Sequence, residues 1–263
     1  MPAFVRLGSV VHHVRIDGPA DAPVVLFANS LGTDLRIWDE VVARLRGSVR
    51  AIRYDMRGHG LTAAADPPYS IEDLADDAER LLDAFGVERA TVCGLSVGGM
   101  VALLVAARRP EQMRSVLLCD TGYRIGAAEM WNARIASVTQ SGIAAISESV
   151  VSRWLSDRFR SAHPDDTIGY RSMVERVTPA GYAGVCAALR DADLESVARA
   201  LRCPTRVVCG ADDQATPPSV NEALAAAIPG ATFELIPNAA HLTCVEQPSI
   251  IAAQIASLLK QRH

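Results

Sequence analysis

The chain has 263 residues, of which 49% are hydrophobic and 21% charged, with a formal net charge of -4. That is enough apolar material for one large domain, or for one domain carrying an insertion. No basic stretch points to nucleic acid and no acidic tail to a solvating arm. The first residues, Met1-Pro2-Ala3-Phe4-Val5-Arg6, lack the apolar run of a signal peptide, and the longest apolar runs, such as 101–107, are too short to span a bilayer. A cytoplasmic protein with no membrane or nucleic-acid partner is the expectation. The six cysteines, Cys93, Cys119, Cys186, Cys203, Cys209 and Cys244, form no CxxC pair and no metal-ligand spacing with histidine, so reduced, packed thiols are expected.

In chain order, apolar runs of strand length fall at 10–16, 24–29, 49–55, 90–94, 115–120, 205–210 and 232–236. Several are continuous in Val, Leu and Ile, as in parallel strands covered on both faces. Ser70-Ile71-Glu72-Asp73 resembles a capping box opening a helix with Leu74, Ala78, Leu81, Leu82 and Phe85 on its apolar side, and Gly86 stops it. The strand at 90–94 runs into Gly98-Gly99 and an apolar helix that Pro110 ends. From 121 to 201 no strand pattern appears. Helical patterns occupy 128–139, 143–155, 167–177 and 181–190, and a structureless loop of that length is implausible in a compact domain. The predicted organisation is a core over 1–120, an all-helical lid over 121–201 whose two ends meet at the sheet's C-terminal edge, and the rest of the core over 202–263.

Gly94-Leu95-Ser96-Val97-Gly98 matches G-x-S-x-G between a strand and a helix, the context in which a nucleophilic serine is held on a sharp turn. The turn needs tiny neighbours, and the following helix points its positive end at developing negative charge. A serine needs a base. Of the six histidines, His12 and His13 precede the fold's first strand turn, His59 lies upstream of Ser96, His163 is in the helical span and His263 is terminal. Of the histidines after the last strand, His241 alone is not the terminus, and it lies on a loop before a helix starting near Gln247-Pro248. The acid should follow the penultimate strand, where Asp212 and Asp213 compete. The spacing to Thr216-Pro217 favours Asp213. The loop Asn29-Ser30-Leu31-Gly32 and the residue after the nucleophile would supply backbone N–H groups to an oxyanion, which assigns Leu31 and Val97.

The order of this motif, Asp213 and His241 resembles the α/β-hydrolase superfamily over the whole chain. Arg57-Gly58-His59-Gly60 is similar to its R-G-x-G loop, which implies a structural role for His59. A narrower resemblance is to the 3-oxoadipate enol-lactonases, carried by Asn29-Ser30-Leu31-Gly32-Thr33-Asp34-Leu35 with Trp38, Arg53-Tyr54-Asp55, Trp131-Asn132-Ala133-Arg134, Arg153-Trp154, Gly181-Tyr182-Ala183 and Ala192-Asp193-Leu194. Val97 departs from the Met common in those lactonases, and Leu242-Thr243-Cys244 departs from their sequence after the histidine. The resemblance implies an α/β-hydrolase fold with a helical lid and hydrolysis of a small carboxylate-bearing enol-lactone, without cofactor or metal. Eight arginines of the helical span, Arg124, Arg134, Arg153, Arg158, Arg160, Arg171, Arg176 and Arg190, are candidates to meet a substrate carboxylate. Trp131 and Arg134, three apart on one helix face, favour Arg134, with Trp131 and Trp154 as the expected apolar wall. Another carboxylesterase, a carbon–carbon bond hydrolase, a non-haem haloperoxidase-like esterase, or a non-catalytic binding protein on the same fold stay open.

Overall fold

The computed structural model describes residues 2–45 and 47–260. Eight strands form one sheet: β1 (Pro2–Leu7), β2 (Val10–Asp17), β3 (Val24–Ala28), β4 (Arg50–Tyr54), β5 (Ala90–Leu95), β6 (Met113–Cys119), β7 (Thr205–Gly210) and β8 (Thr232–Ile236). Across the sheet they run β1-β2-β4-β3-β5-β6-β7-β8. The β1–β2 and β2–β4 pairings are antiparallel, and all others are parallel. The central strands β3 and β5 are buried at every residue, as their unbroken apolar sequences require, whereas the edge strand β8 is largely exposed. The strand order reverses between β3 and β5. The loops leaving their C-terminal ends diverge there, and an open sheet places its ligand crevice at such a point.

Among the described residues the helices are α1 (Asp39–Leu45), α2 (Ile71–Ala84), α3 (Val97–Arg108), α4 (Ala128–Ser141), α5 (Ala144–Trp154), α6 (Asp157–Ala162), α7 (Pro164–Glu175), α8 (Pro179–Asp191), α9 (Glu195–Ala200), α10 (Pro218–Ala227), α11 (Thr243–Glu246) and α12 (Pro248–Lys260). The box opening α2 is complete: Ser70 Oγ accepts from the Asp73 N–H and the Asp73 carboxylate accepts from the Ser70 N–H. Gly86 follows α2 at φ +60°, a conformation that costs glycine little. No helix among the described residues is long and apolar enough to cross a membrane.

The structure departs from the sequence reading in four places. The sheet gains β1, so His12 and His13 lie inside β2 of an antiparallel hairpin rather than before the first turn. Two six-residue helices, α6 and α9, join the four foreseen between β6 and β7. The short helix α11 intervenes between His241 and α12. The helical span also does not begin and end at one edge of the sheet. It leaves the C-terminal end of β6 and rejoins the N-terminal end of β7, because parallel neighbours require a return crossover. The neck that closes is Tyr123 with Leu194, whose N–H donates to the Tyr123 carbonyl at 2.9 Å. Helix α9 then carries the chain back down.

The helices α4–α8 sit over the switch point. Gly58 and Gly181 meet so closely that a Cβ on Gly58 would lie 2.5 Å from the Gly181 Cα. The Leu242 N–H donates to the Trp154 carbonyl at 2.9 Å.

Candidate active site

Ser96 stands between β5 and α3 with φ 59° and ψ -122°, a backbone state that costs a non-glycine residue on the order of 1–3 kcal/mol. The surrounding glycines are demanded by contact. A Cβ on Gly94 would lie 2.0 Å from the Gly98 carbonyl oxygen, and one on Gly98 would lie 2.2 Å from that of Ala28. The turn is held by the Ser96 N–H, which donates to the Cys119 carbonyl at 3.0 Å, and by the Thr121 hydroxyl, which donates to the Ser96 carbonyl at 2.6 Å.

The two competing acids separate cleanly. Asp212 is exposed, whereas Asp213 is buried and its Oδ2 lies 2.9 Å from His241 Nδ1. A carboxylate on Nδ1 places the proton there and leaves Nε2 free to accept. Asp213 also accepts from the Ala215 N–H at 2.7 Å, the Thr216 N–H at 3.1 Å and the Thr216 hydroxyl at 2.7 Å. Burial works to raise this carboxyl, but the charge and hydrogen bond of His241 and the donors of Thr216 outweigh it and hold the group below its ordinary value.

Ser96 and His241 line one cavity, together with Ser30, Leu31, Thr216 and residues of the overlying helices. Asn29, at the head of the loop after β3, is spent on structure: its Nδ2 donates to the Tyr54 carbonyl at 2.6 Å and its Oδ1 accepts from Trp38 Nε1 at 2.9 Å. Among the described residues, the backbone N–H groups of Leu31 and Val97 have no acceptor within the protein. Buried amides are rarely left so, and a substrate oxygen would satisfy them.

Trp131, Arg134 and Trp154 all line the same cavity. The Trp131 indole N–H is spent on the Ile125 carbonyl at 2.6 Å, so this ring offers the cavity an apolar wall. Arg134 Nη1 donates to the Tyr182 hydroxyl at 3.1 Å. Burial pushes that phenol up to about 12, against the opposing charges of Arg134 and Arg153. Arg153, one of the eight arginines expected as candidates for a substrate carboxylate, also lines the cavity, as does Tyr182, which the sequence offered only within a family motif. Among the described residues, neither Arg134 nor Arg153 has a carboxylate within ion-pair distance. The other arginines of these helices are engaged elsewhere: Arg124 with Asp193, Arg160 with Asp157, Arg171 with Glu148 and Glu175, Arg190 with Asp191, and Arg158 with the Asn238 side chain. Arg176 borders a different cavity. Thr216, which touches both Asp213 and His241 Nδ1 (3.3 Å), was legible as a turn residue three after an Asp.

The remaining histidines stand apart. His59 is fully buried in its loop, its Nδ1 on the Arg57 carbonyl, and burial lowers it to about 4. His12 faces Asp77 and His13 faces Asp55, His163 is on the surface near Asp166, and His263 lies outside the described residues. All six cysteines are free thiols.

The family model for the alpha/beta hydrolase fold matches residues 23–248. Two 3-oxoadipate enol-lactonases of Acinetobacter baylyi are similar along most of the chain. Enol-lactonase 1 is 34% identical over 89% of this chain and 88% of its own, and enol-lactonase 2 is 32% identical over 93% and 91%. The crystal structure of the enol-lactonase from Burkholderia xenovorans LB400 superposes with a TM-score of 0.95 at 34% identity, over 98% of this chain and all of that one. A family model spanning most of the sequence, and relatives about one-third identical along nearly its whole length, place this chain in the alpha/beta hydrolase fold family, as a hydrolase.

Proposed function

We propose that the protein opens a small enol-lactone bearing a carboxylate, converting 3-oxoadipate enol-lactone to 3-oxoadipate through an acyl-enzyme on Ser96. The observation that carries this reading is the shared cavity. A strained serine and a histidine backed by a buried carboxylate face the same space as two guanidiniums that, among the described residues, have no carboxylate within ion-pair distance.

In this reading Ser96 Oγ attacks the lactone carbonyl carbon while His241 Nε2 takes the hydroxyl proton. Asp213 holds the ring and stabilises the imidazolium. The carbonyl oxygen, now an oxyanion, accepts from the Leu31 and Val97 N–H groups. Collapse of the tetrahedral intermediate breaks the ring C–O bond and forms the Ser96 ester. The enol oxygen leaves with the proton returned by His241, and the enol tautomerises to a ketone that stays tethered. Water then attacks the ester, His241 takes its proton, and the carboxylate product leaves as Ser96 Oγ is reprotonated. Arg134 pairs with the substrate carboxylate, and Trp131 and Trp154 flank the ring. Burying an unpaired carboxylate is costly, so an acidic substrate needs such a cation. No step requires a metal or cofactor.

The test is turnover of the enol-lactone beside an uncharged aryl acetate, with fluorophosphonate labelling mapped to the modified residue. Label on Ser96 and a preference for the lactone are expected. Labelling at Ser96 with efficient ester turnover but no lactone turnover would make the protein a general carboxylesterase, the second reading.

A further inference from the structure

One buried acid near the cavity has no part in that reaction. Asp120 follows β6, is fully buried, and holds φ at 48°, a left-handed state that aspartate tolerates better than most residues. Its backbone N–H donates to the Val208 carbonyl at 2.9 Å. Its Oδ1 accepts from the Gly210 N–H at 2.8 Å, and its Oδ2 is joined by the Thr243 hydroxyl. Gly210 ends β7, three residues before Asp213. Thr243 opens α11, two residues after His241. A carboxyl oxygen of Asp120 lies within 4.8 Å of one of Asp213 and of Cys209 Sγ. One side chain thus reaches the roots of both turns that bring acid and base together, from sequence positions 90 and 123 residues away.

We propose that Asp120 is a positioning residue for the Asp213–His241 pair: its carboxyl ties the turn carrying the acid and the turn carrying the base to the end of β6, so that neither moves independently of the other. The inference rests on the catalytic roles proposed above. The turns need such a tie, because each is a loop emerging from the sheet's open edge and would otherwise drift by the fraction of an ångström that matters to a proton relay. Asp120 touches neither substrate nor reacting atoms and acts through the backbone of Gly210 and the side chain of Thr243.

The titratable groups facing Asp120 are Asp213 from the turn after β7, Cys209 in β7, Cys119 in β6 and Cys244 in α11. Burial, with the charge of Asp213 behind it, pushes the Asp120 carboxyl well above the usual range, against the donors of Gly210 and Thr243. Asparagine has nearly the same shape, with an oxygen to accept from the Gly210 N–H and an amide group to meet the Thr243 hydroxyl, so it should keep the tie, while alanine removes it.

The experiment compares Asp120→Ala and Asp120→Asn on an aryl acetate, whose turnover needs the serine, histidine and oxyanion donors but not lactone recognition. Asp120→Ala is expected to lower kcat by about 10–100-fold, the scale of losing a residue that orients a functional group, with KM little changed. The acidic limb of its kcat–pH profile should move to lower pH, because a loosened Asp213 no longer supports the imidazolium. Asp120→Asn should keep both kcat and the limb near wild type. Thr243→Val, which removes one strut, should lower kcat in the same direction by less. Wild-type kcat and an unmoved limb in Asp120→Ala, whatever its Tm, would overturn the proposal. So would an Asp120→Asn that matches Asp120→Ala, since charge and not the tie would then be responsible. If Asp120→Ala fails to fold, a wild-type-like Thr243→Val overturns it. Wild-type enzyme unlabelled at Ser96 by a fluorophosphonate would instead remove the catalytic roles themselves, and the tie with them.

Discussion

Two histidine–aspartate pairs in this molecule are nearly identical in local geometry and differ in everything around them. His241 Nδ1 lies 2.9 Å from Asp213, and His13 Nδ1 lies 2.8 Å from Asp55, with both carboxylates buried. Asp213 is supplied with donors by its own turn and sits below its ordinary pKa. Asp55 accepts from the Leu61 and Leu35 N–H groups and from His13, but burial outweighs these donors, Asp34 adds to the effect, and the group sits above its ordinary pKa. His241 opens on the cavity that holds Ser96. His13 lies in β2 with Phe4 against its ring, 5.4 Å between centroids, and borders a cavity lined by no serine, threonine or cysteine. A Cβ on Gly60 would fall 2.1 Å from Asp55 Oδ2, so this second carboxylate packs the Arg57-Gly58-His59-Gly60 loop against β4. The pairing of the two residue types is therefore not a catalytic signature by itself. What distinguishes the first pair is the proposed nucleophile, Ser96, across the cavity, and an imidazole and Thr216 donors that together hold its acid below the ordinary value.

The largest expected effect tests that nucleophile. Ser96→Ala should lower kcat by about 10⁴–10⁶, as loss of a triad serine does, with Tm nearly unchanged. A variant keeping a tenth of wild-type turnover would dissolve the distinction between the two pairs. Next comes the same substitution in each pair. Asp213→Asn should lower kcat by about 10³–10⁴ through loss of the correct imidazole tautomer, while the exposed Asp212→Asn should change little. Asp55→Asn should leave kcat near wild type and instead lower stability by about 1–3 kcal/mol, the scale of a disrupted buried hydrogen-bond network. Kinetics and thermal melts of all three variants decide it. If Asp55→Asn proves to be the kinetic lesion, the comparison is reversed.

The first pair was legible in the sequence because its constraints are local and ordered along the chain. G-x-S-x-G needs small residues at fixed positions, and His241 was the only histidine after the last strand apart from the terminal His263. The choice of Asp213 over Asp212 was also local, since Thr216 caps the turn three residues later. What escaped was set by tertiary contacts or by short length. β1 has Phe4 largely exposed and looks nothing like a core strand, although the two-residue link Gly8-Ser9 between Leu7 and Val10, with Gly8 at φ +59°, is a hairpin signal. α6 and α9 have only six residues each, too few for periodicity to show. Arg153 could not be ranked above the other arginines of the span, because which face of α5 meets the cavity depends on how that helix docks. No spacing within the helix encodes it.

A smaller effect sharpens what the cavity around the first pair reads. Arg134→Met should lower kcat/KM for the enol-lactone by about 1.5–3 kcal/mol, the scale of a charge-assisted hydrogen bond, and leave an uncharged ester of similar size little affected. The substitution leaves the Trp131 and Tyr182 side chains themselves unaltered and puts an apolar group where the guanidinium stood. An equal loss on both substrates would assign Arg134 to holding Tyr182 and the overlying helices rather than to reading charge.

The smallest expected effect is in stability against pH, where the two aspartates should pull in opposite directions. Asp213 has a depressed pKa in the fold, so the unfolded chain takes up its proton first as pH falls. Its contribution is fully present above the unfolded value, about 3.9, and is lost as pH drops through the lower folded value. Asp55 has a raised pKa in the fold. Above about pH 4 the unfolded chain has released the Asp55 proton while the folded protein still holds it, so stability falls as pH rises from there to the folded value. Denaturant unfolding of wild type, Asp213→Asn and Asp55→Asn between about pH 3.5 and 6.5 isolates each term by difference. Wild type minus Asp213→Asn should climb with pH over the lower part of that range, and wild type minus Asp55→Asn should decline. Slopes of the same sign would mean that the two carboxylates are electrostatically alike, and the proposed nucleophile alone would then separate the pair proposed as catalytic from the other.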